Sequence, residues 1–295
     1  MTKNVTILKG DRAPTVIPLA DMQLSMMGVE AMLEWVREHR PECIPEGCDD
    51  GMALFPHGGI DEATNRELTS NELLVELAGR KCYDSFGDKA GRKSNAEYIA
   101  HTQGGDIPHA SILYHAKMSF FFAGISRRVS HEIIRNYVGA DREEEGSPSQ
   151  ESTRFTHHYG FFIEPPKYTS TEFDYADEGH QKAMQLHFER SMQAAYQAYL
   201  TAVEMECDAF ERKTGKKATS MDKKRIYEAA SSFLPHQAET SFIFTMNPAS
   251  LAKFVRERAN VAADLEIQRF AKKLRKVAMD RWPNLFPQAF MRETD

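Results

Sequence analysis

Three arginines set among aliphatic or hydroxyl-bearing residues are the first candidates for chemistry. Arg135 closes the stretch Gly124-Ile125-Ser126-Arg127-Arg128-Val129-Ser130-His131-Glu132-Ile133-Ile134-Arg135, Arg154 ends the run Ser149-Gln150-Glu151-Ser152-Thr153-Arg154, and Arg258 follows Phe254-Val255-Arg256-Glu257. A guanidinium amid apolar side chains is costly unless an anion meets it, and its planar fork suits phosphate or carboxylate oxygens. Ion pairing within the chain is the competing reading: Glu132 with Arg135, or Glu257 and Glu266 with neighbouring bases. Ser130, His131, Glu132 and Arg135 share one predicted helix, where Glu132 and Arg135, three apart, lie on one face. His109, Ser111 and His115 flank an apolar segment, and Asn247 stands ahead of the last helical pattern. Ser147 and Ser152 lack an evident base partner for nucleophilic work, so Ser152 reads as a ligand-binding hydroxyl. No GxGxxG, GxxxxGK[ST] or GxSxG occurs, so no phosphate-cradling glycine loop or nucleophile elbow is expected.

Elements must position these groups. A short strand is predicted over Val5–Leu8, interrupted by Pro14–Pro18, followed by a helix over Leu24–Arg40. Pro41–Gly59 carries three prolines and four glycines in nineteen residues and reads as a loop, an insertion beside an older core. A helix is predicted over Asn71–Cys82 with Ser70 as its N-cap, a strand over Ser111–Phe122 and a helix over Ser126–Val138. Ala140–Ser149, acidic and punctuated by Gly and Pro, reads as a loop, and Phe161–Pro166 as a short strand. Gly179–Phe210 has a helical stripe, Lys223–Phe233 is a second helix, Thr240–Thr245 a strand, and Ser250–Trp282 a single last helix. Few strands among long helices predict an α/β (α+β) domain.

Composition bounds the class. The 295 residues, 41% hydrophobic, are enough for a substantial core. A net charge of −6 argues against a nucleic acid polymer as partner. Mean hydropathy is −0.52 and no run of eighteen apolar residues occurs, so no membrane partner is expected. Met1–Gly10 has no secretory pattern, and Cys43, Cys48, Cys82 and Cys207 form no CxxC pair, which predicts a reduced, cytoplasmic protein. Cys43-x4-Cys48 with His57 has the wrong spacing for a common zinc motif, and neither His157-His158 nor His109 with His115 makes a ligand set, so no metal is expected.

Taken in order, these segments resemble the flavin-dependent (alternative) thymidylate synthases. Arg80-Lys81-Cys82-Tyr83-Asp84-Ser85 is similar to that family's Ala-Arg-x-Cys-Tyr-x-Ser, and His109–His115 to its His-x-Ser/Thr-x-x-Glu-His, with Tyr114 in the Glu place. Gly124–Arg135 is similar to the helix before the family's Arg-His-Arg triplet, and Ser152-Thr153-Arg154-Phe155 to its Ser-x-Arg-aromatic. Leu234-Pro235, Thr240 and Thr245-Met246-Asn247 follow, then Phe254–Arg258 and Glu266-Ile267-Gln268. The resemblance covers roughly Leu73–Leu285 and implies one domain over 1–295, with a central, mostly antiparallel sheet flanked by long helices. It implies transfer of a one-carbon unit from methylenetetrahydrofolate to C5 of dUMP, with reduction to dTMP, using FAD and NADPH. It also implies a homotetramer with shared active sites. By position, Glu132, Gln150, Ser152, Thr153, Arg154 and Arg258 would hold the nucleotide, with Arg258, Ser152 and Arg154 catalytic. Ser111, Arg135, Asn136, Tyr137, Val138 and Asn247 would line the flavin.

The departures all concern charge. The triplet reads Arg135-Asn136-Tyr137, and fourteen residues instead of seven separate Tyr137 from Ser152; the extra stretch, Ala140–Gly146, brings three glutamates and one aspartate. Ser231 stands where the family has an Arg before Leu-Pro, Glu132 replaces a Gln, Ala262 a His and Asp264 a Gln. Arg127, Arg128, Arg142 and Lys253 are the nearby cations, of which Arg128 and Arg142 read as surface charges. Methylation or hydroxymethylation of another pyrimidine nucleotide such as UMP, and a non-catalytic ligand-binding role, are the alternatives.

Overall fold

The computed structural model describes residues 4–9, 14–43, 51–83, 85–86, 91, 93–104, 109–137, 146–166 and 177–286. In chain order the elements are β1 (Thr6–Leu8), β2 (Thr15–Asp21), α1 (Met26–His39), β3 (Ile60–Asp61), β4 (Arg66–Glu67), α2 (Ser70–Tyr83), α3 (Asn95–Gln103), β5 (Met118–Ser126), α4 (Arg127–Tyr137), β6 (Gly146–Gln150), β7 (Phe161–Ile163), α5 (Glu178–Thr214), α6 (Ser220–Ala230), β8 (Glu239–Met246), α7 (Pro248–Arg258) and α8 (Leu265–Arg281).

Alternation builds the central sheet. In β5, Met118, Phe120 and Phe122 are buried, and in β8 Thr240, Phe242, Phe244 and Met246, so one face of each strand enters the core. The sheet is antiparallel in the order β2-β5-β8-β6. α7 and α8 supply Leu251, Phe254, Val255, Phe270, Leu274 and Trp282 to the same core. Phe122 meets Phe242 and Phe270 edge-on, at ring separations of 5.3 and 4.9 Å. Near its end β5 bulges between Phe122 and Ile125, and Gly124 there has φ +67°, which a side chain would oppose. The bulge turns the chain directly into α4.

A second core joins α1 to α2 through Val29, Leu33, Val36, Leu54, Phe55, Leu73 and Leu77. A third lies between α5 and the loop around β7: Phe162, Phe188, Met192, Tyr196 and Tyr199. β1 pairs with β7 in parallel.

Several sequence expectations are corrected. Ser111–His115 is part of a 3-10 turn, with Ile112 and Leu113 both buried, which a strand's alternation forbids; the strand begins at Met118. Gly146–Gln150 is an edge strand, not a loop, and an edge tolerates Pro148 because no neighbour requires its missing N–H. Pro18 likewise sits within edge strand β2, beside a register shift. The last helix is two, because Asn260 Oδ1 caps the turn at Ala262 N and Asp264 Oδ1 accepts from Glu266 N to start α8. Ser70 is the first residue of α2; the cap is Thr69, whose Oγ1 accepts from Glu72 N while Glu72 Oε2 accepts from Thr69 N. α3, started by the Ser94–Glu97 capping box, was not expected. Within the expected 41–59 loop, Pro41–Cys43 and Gly51–Leu54 form 3-10 turns and 44–50 lies outside the described residues.

Candidate active site

α4 owes its position to both of its neighbours. Ser126 donates from N and Oγ to Glu266, at 2.8 and 2.9 Å, fixing the β5–α4 junction to the start of α8. The first two amides of α4, Arg127 N and Arg128 N, donate to Ala238 O and His236 O at 3.0 and 3.1 Å. These bonds lay the segment before β8 alongside the helix.

A cleft of about 540 Å³ results. One wall is a single face of α4: Arg127, Ser130, His131, Ile134 and Arg135, at the i, i+3, i+4, i+7, i+8 spacing of one helical side. Ser231, Leu234, Pro235 and His236 form the opposite wall, and Gln150 and Thr153 close it. Gln150 Nε2 donates to Ser130 Oγ at 2.8 Å and to Thr240 Oγ1 at 3.0 Å, so the amide is held by both the helix and the sheet. None of these lining residues is acidic.

Charges behind the wall are perturbed by burial. Burial lowers the pKa of Arg127, against the opposing pull of Glu151 and Glu239. Glu239 is raised, chiefly by burial, although Gly124 N donates to it at 2.8 Å. His158 is lowered to about 4 by burial, with Arg127 and His157 adding repulsion. Its Nδ1 accepts from Gly160 N at 3.1 Å, which leaves the proton on Nε2.

The sequence-predicted residues divide. Arg135, Gln150 and Thr153 line the cleft. Glu132 lies off that face, with its carboxylate 3.8 Å from Arg258, so its ion-pair partner is Arg258 and not Arg135. Ser152 starts the turn after β6: its Oγ accepts from Arg154 N at 3.2 Å and its carbonyl from Thr156 Oγ1 at 2.7 Å. Arg154 is half-exposed and pairs with Glu228 of α6 at 2.9 Å. Ser111 is exposed on a turn that packs against α7. Asn247 is buried as the N-cap of α7; its Oδ1 accepts from Ser250 N at 2.8 Å, and its Nδ2 has no partner. Asn136 and Tyr137 are the last two positions of α4. Val138, Arg142 and 140–145 lie outside the described residues.

Other groups went unnoticed in sequence. His236 lines the cleft, and its place directly after Leu234-Pro235 was the only signal. Arg128 is no plain surface charge: it donates twice to Asp264 and once to Glu266. His57 is buried and donates from Nε2 to Glu76 at 2.7 Å, far from any metal-like set. Among the described residues no three His, Cys, Asp or Glu side chains are grouped to hold a metal ion, and no helix is long and apolar enough to cross a membrane.

Comparison with known proteins gives consistent relatives. The sequence model of the family described as thymidylate synthase complementing protein matches residues 66–284. A flavin-dependent thymidylate synthase of Corynebacterium aurimucosum is 30% identical over 230 residues, 77% of this chain and 84% of that protein. One from Mycolicibacterium vanbaalenii is 32% identical over 230 residues, 77% of this chain and 82% of its own length. Among solved structures, a UMP/dUMP methylase, PolB from Streptomyces cacaoi, bound with 5-Br UMP, superposes with a TM-score of 0.54 at 17% identity, covering 76% of this chain and 92% of its own. At that identity the last likeness speaks for the fold.

Proposed function

The chain belongs to the thymidylate synthase complementing protein family, and from that premise we propose that it is a flavin-dependent thymidylate synthase, methylating C5 of dUMP with a one-carbon unit from methylenetetrahydrofolate. The observation that carries this reading is the cleft along α4, which offers two arginines, two histidines and several neutral donors and no carboxylate among its lining residues. Such a lining suits an anionic, hydrogen-bonding ligand of small size. The pyrimidine nucleotide lies against Gln150 and Thr153, with Ser152 and Arg154 at the adjoining turn. Arg154 reaches it by exchanging Glu228 for the ligand, an exposed pair worth little. Arg258 stabilises the negative charge that develops on the pyrimidine during C5 chemistry, and Glu132 at 3.8 Å orients its guanidinium.

The described residues fit a flavin. Asn247 Nδ2 is a buried donor without a partner, Ser111 is exposed on the turn against α7, and Arg135 makes no ion pair with any described residue. Ser111, Arg135 and Asn247, with Asn136, Tyr137 and Val138 after Arg135, would hold it. When bound, the flavin supplies the two-electron reduction of the transferred carbon, and NADPH restores it.

Glu132 and Arg258 meet off the face that Gln150 and Thr153 close, so one chain presents its nucleotide residues in two separate places. That arrangement supports a homotetramer with shared sites. The reading places the protein in the cytoplasm.

Tritium release from C5-labelled dUMP, with FAD, NADPH and methylenetetrahydrofolate, tests the function. Release is expected; no release from protein that binds FAD overturns it. Ser231 on the cleft wall motivates UMP as a second substrate, and faster release from C5-labelled UMP would make UMP the substrate.

A further inference from the structure

Arg127 is the most confined cation of the cleft. It is partly buried, its Nε is sealed from solvent with no hydrogen-bond partner, and among the described residues its one bond is from an NH2 nitrogen to Glu151 O at 3.0 Å. Glu151 and Glu239 influence it electrostatically, yet neither lies within ion-pair distance, and the Glu239 carboxylate accepts from Gly124 N. A guanidinium carries five donors, and leaving most of them unmet in a desolvated place is expensive. The cost persists where a ligand anion completes the shell. Arg127 already lines the cleft, and the facing wall at Ser231 adds only a hydroxyl that donates to Glu228 O at 2.8 Å. The other arginines near the cleft are differently placed: Arg135 is exposed and Arg154 is engaged by Glu228. The α4 N-terminus is itself no anion site, since Arg127 N and Arg128 N are taken by Ala238 O and His236 O.

We infer that Arg127 receives the phosphate monoester of the nucleotide, which places the phosphate at the N-terminal end of the α4 wall. Arg127 and Arg135 are eight residues apart, about 12 Å along the helix, so the cleft is charged at both ends and the phosphate takes the buried one. His158 beside Arg127 stays neutral, which leaves the guanidinium the only charge presented there from that side, while Glu151 and Glu239 face it from behind. The inference rests on the nucleotide reading above.

Calorimetric titration of the full-length protein with dUMP and with deoxyuridine, on wild type, Arg127→Met and Arg127→Lys, is the test. Arg127→Met should raise the Kd for dUMP about 10- to 100-fold and leave that for deoxyuridine unchanged, since only the phosphate contact is lost. FAD binding, followed by flavin fluorescence, should not change. If the Met variant shows no cooperative thermal transition, Arg127→Lys decides: it keeps the charge and loses the fork, and dUMP should weaken at least about fivefold. Wild-type dUMP affinity in the folded variants overturns the assignment alone. Weakened FAD binding with unchanged dUMP affinity assigns Arg127 to the cofactor and also overturns it. A wild-type protein that binds neither dUMP nor UMP removes the nucleotide reading, and this inference with it.

Discussion

At the residue scale, the informative groups are charged or titratable side chains held in one state by burial. His158 is neutral because burial, then Arg127 and His157, bring its pKa to about 4, while its backbone N donates to Tyr199 Oη at 3.1 Å and its carbonyl accepts from Tyr196 Oη at 3.2 Å. The unfolded chain takes up the proton near the ordinary value of about 6.5, so below that pH the unfolded state binds more protons. Stability from this residue is therefore complete above about pH 6.5 and is lost as pH falls toward 4, by at most about 3 kcal/mol. His158→Asn should flatten that part of the curve, measured by urea unfolding at pH 6.5, 5.5 and 4.5; an unchanged slope would mean that the imidazole titrates freely. Arg258 tests the chemistry. Arg258→Ala should lower kcat/KM for dUMP by about 100-fold or more, in the range of removing one transition-state donor, while Tm moves by only a few degrees. A lost Tm with kcat intact would make Arg258 a packing residue.

At the element scale, the site depends on where α4 begins. Gly124 bends β5 into it, and Glu266 takes both Ser126 N and Ser126 Oγ. Burial raises the pKa of Glu266, and the two Ser126 bonds and Arg128 oppose the rise. Glu266→Ala would leave Ser126 N buried without an acceptor, a loss of about 1–3 kcal/mol, and Tm should fall by several degrees in differential scanning calorimetry. Equal Tm would place the junction's stability elsewhere. Glu266 was visible in the sequence as part of Glu266-Ile267-Gln268, but its partner 140 positions away was not. The same holds more widely. Alternating Phe in β5 and β8 and the long stripe of α5 were legible because the pattern is local. The edge strand β6 was not, because Gly146, Ser147 and Pro148 have little strand propensity and pair only because β8 presents a free edge. Arg135, Gln150 and Thr153 could be named from motif spacing; that Glu132 turns instead to Arg258 follows from the packing of α4 and α7, which spacing does not encode.

At the scale of the whole molecule, residues ahead of the family match at 66–284 are built into the fold. Val29, Leu33 and Val36 of α1 share a core with Leu73 and Leu77 of α2, and His57 is bonded to Glu76, which also holds Arg80 at 2.7 Å. Burial pushes the Glu76 carboxyl up, but the His57 bond and the Arg80 charge outweigh it and hold the group below its usual range. On the opposite side the sheet is left open: Ile17, Phe121 and Ile243 align across β2, β5 and β8, and Ile17 and Ile243 are each 45% exposed. An apolar row of that kind favours burial against another chain. If the site is shared, Arg258 and Arg154 of one active site come from different chains. Arg258→Ala and Arg154→Ala proteins, each of low activity alone, should then recover a substantial fraction of wild-type activity when mixed after dissociation and reassociation, because some sites receive both intact arginines. Recovery requires exchange, so native mass spectrometry should show mixed tetramers in the same sample. Mixed tetramers without recovered activity would mean that each chain builds its own complete site, and that Arg258 and Ser152-Thr153-Arg154 come together only by movement within one subunit.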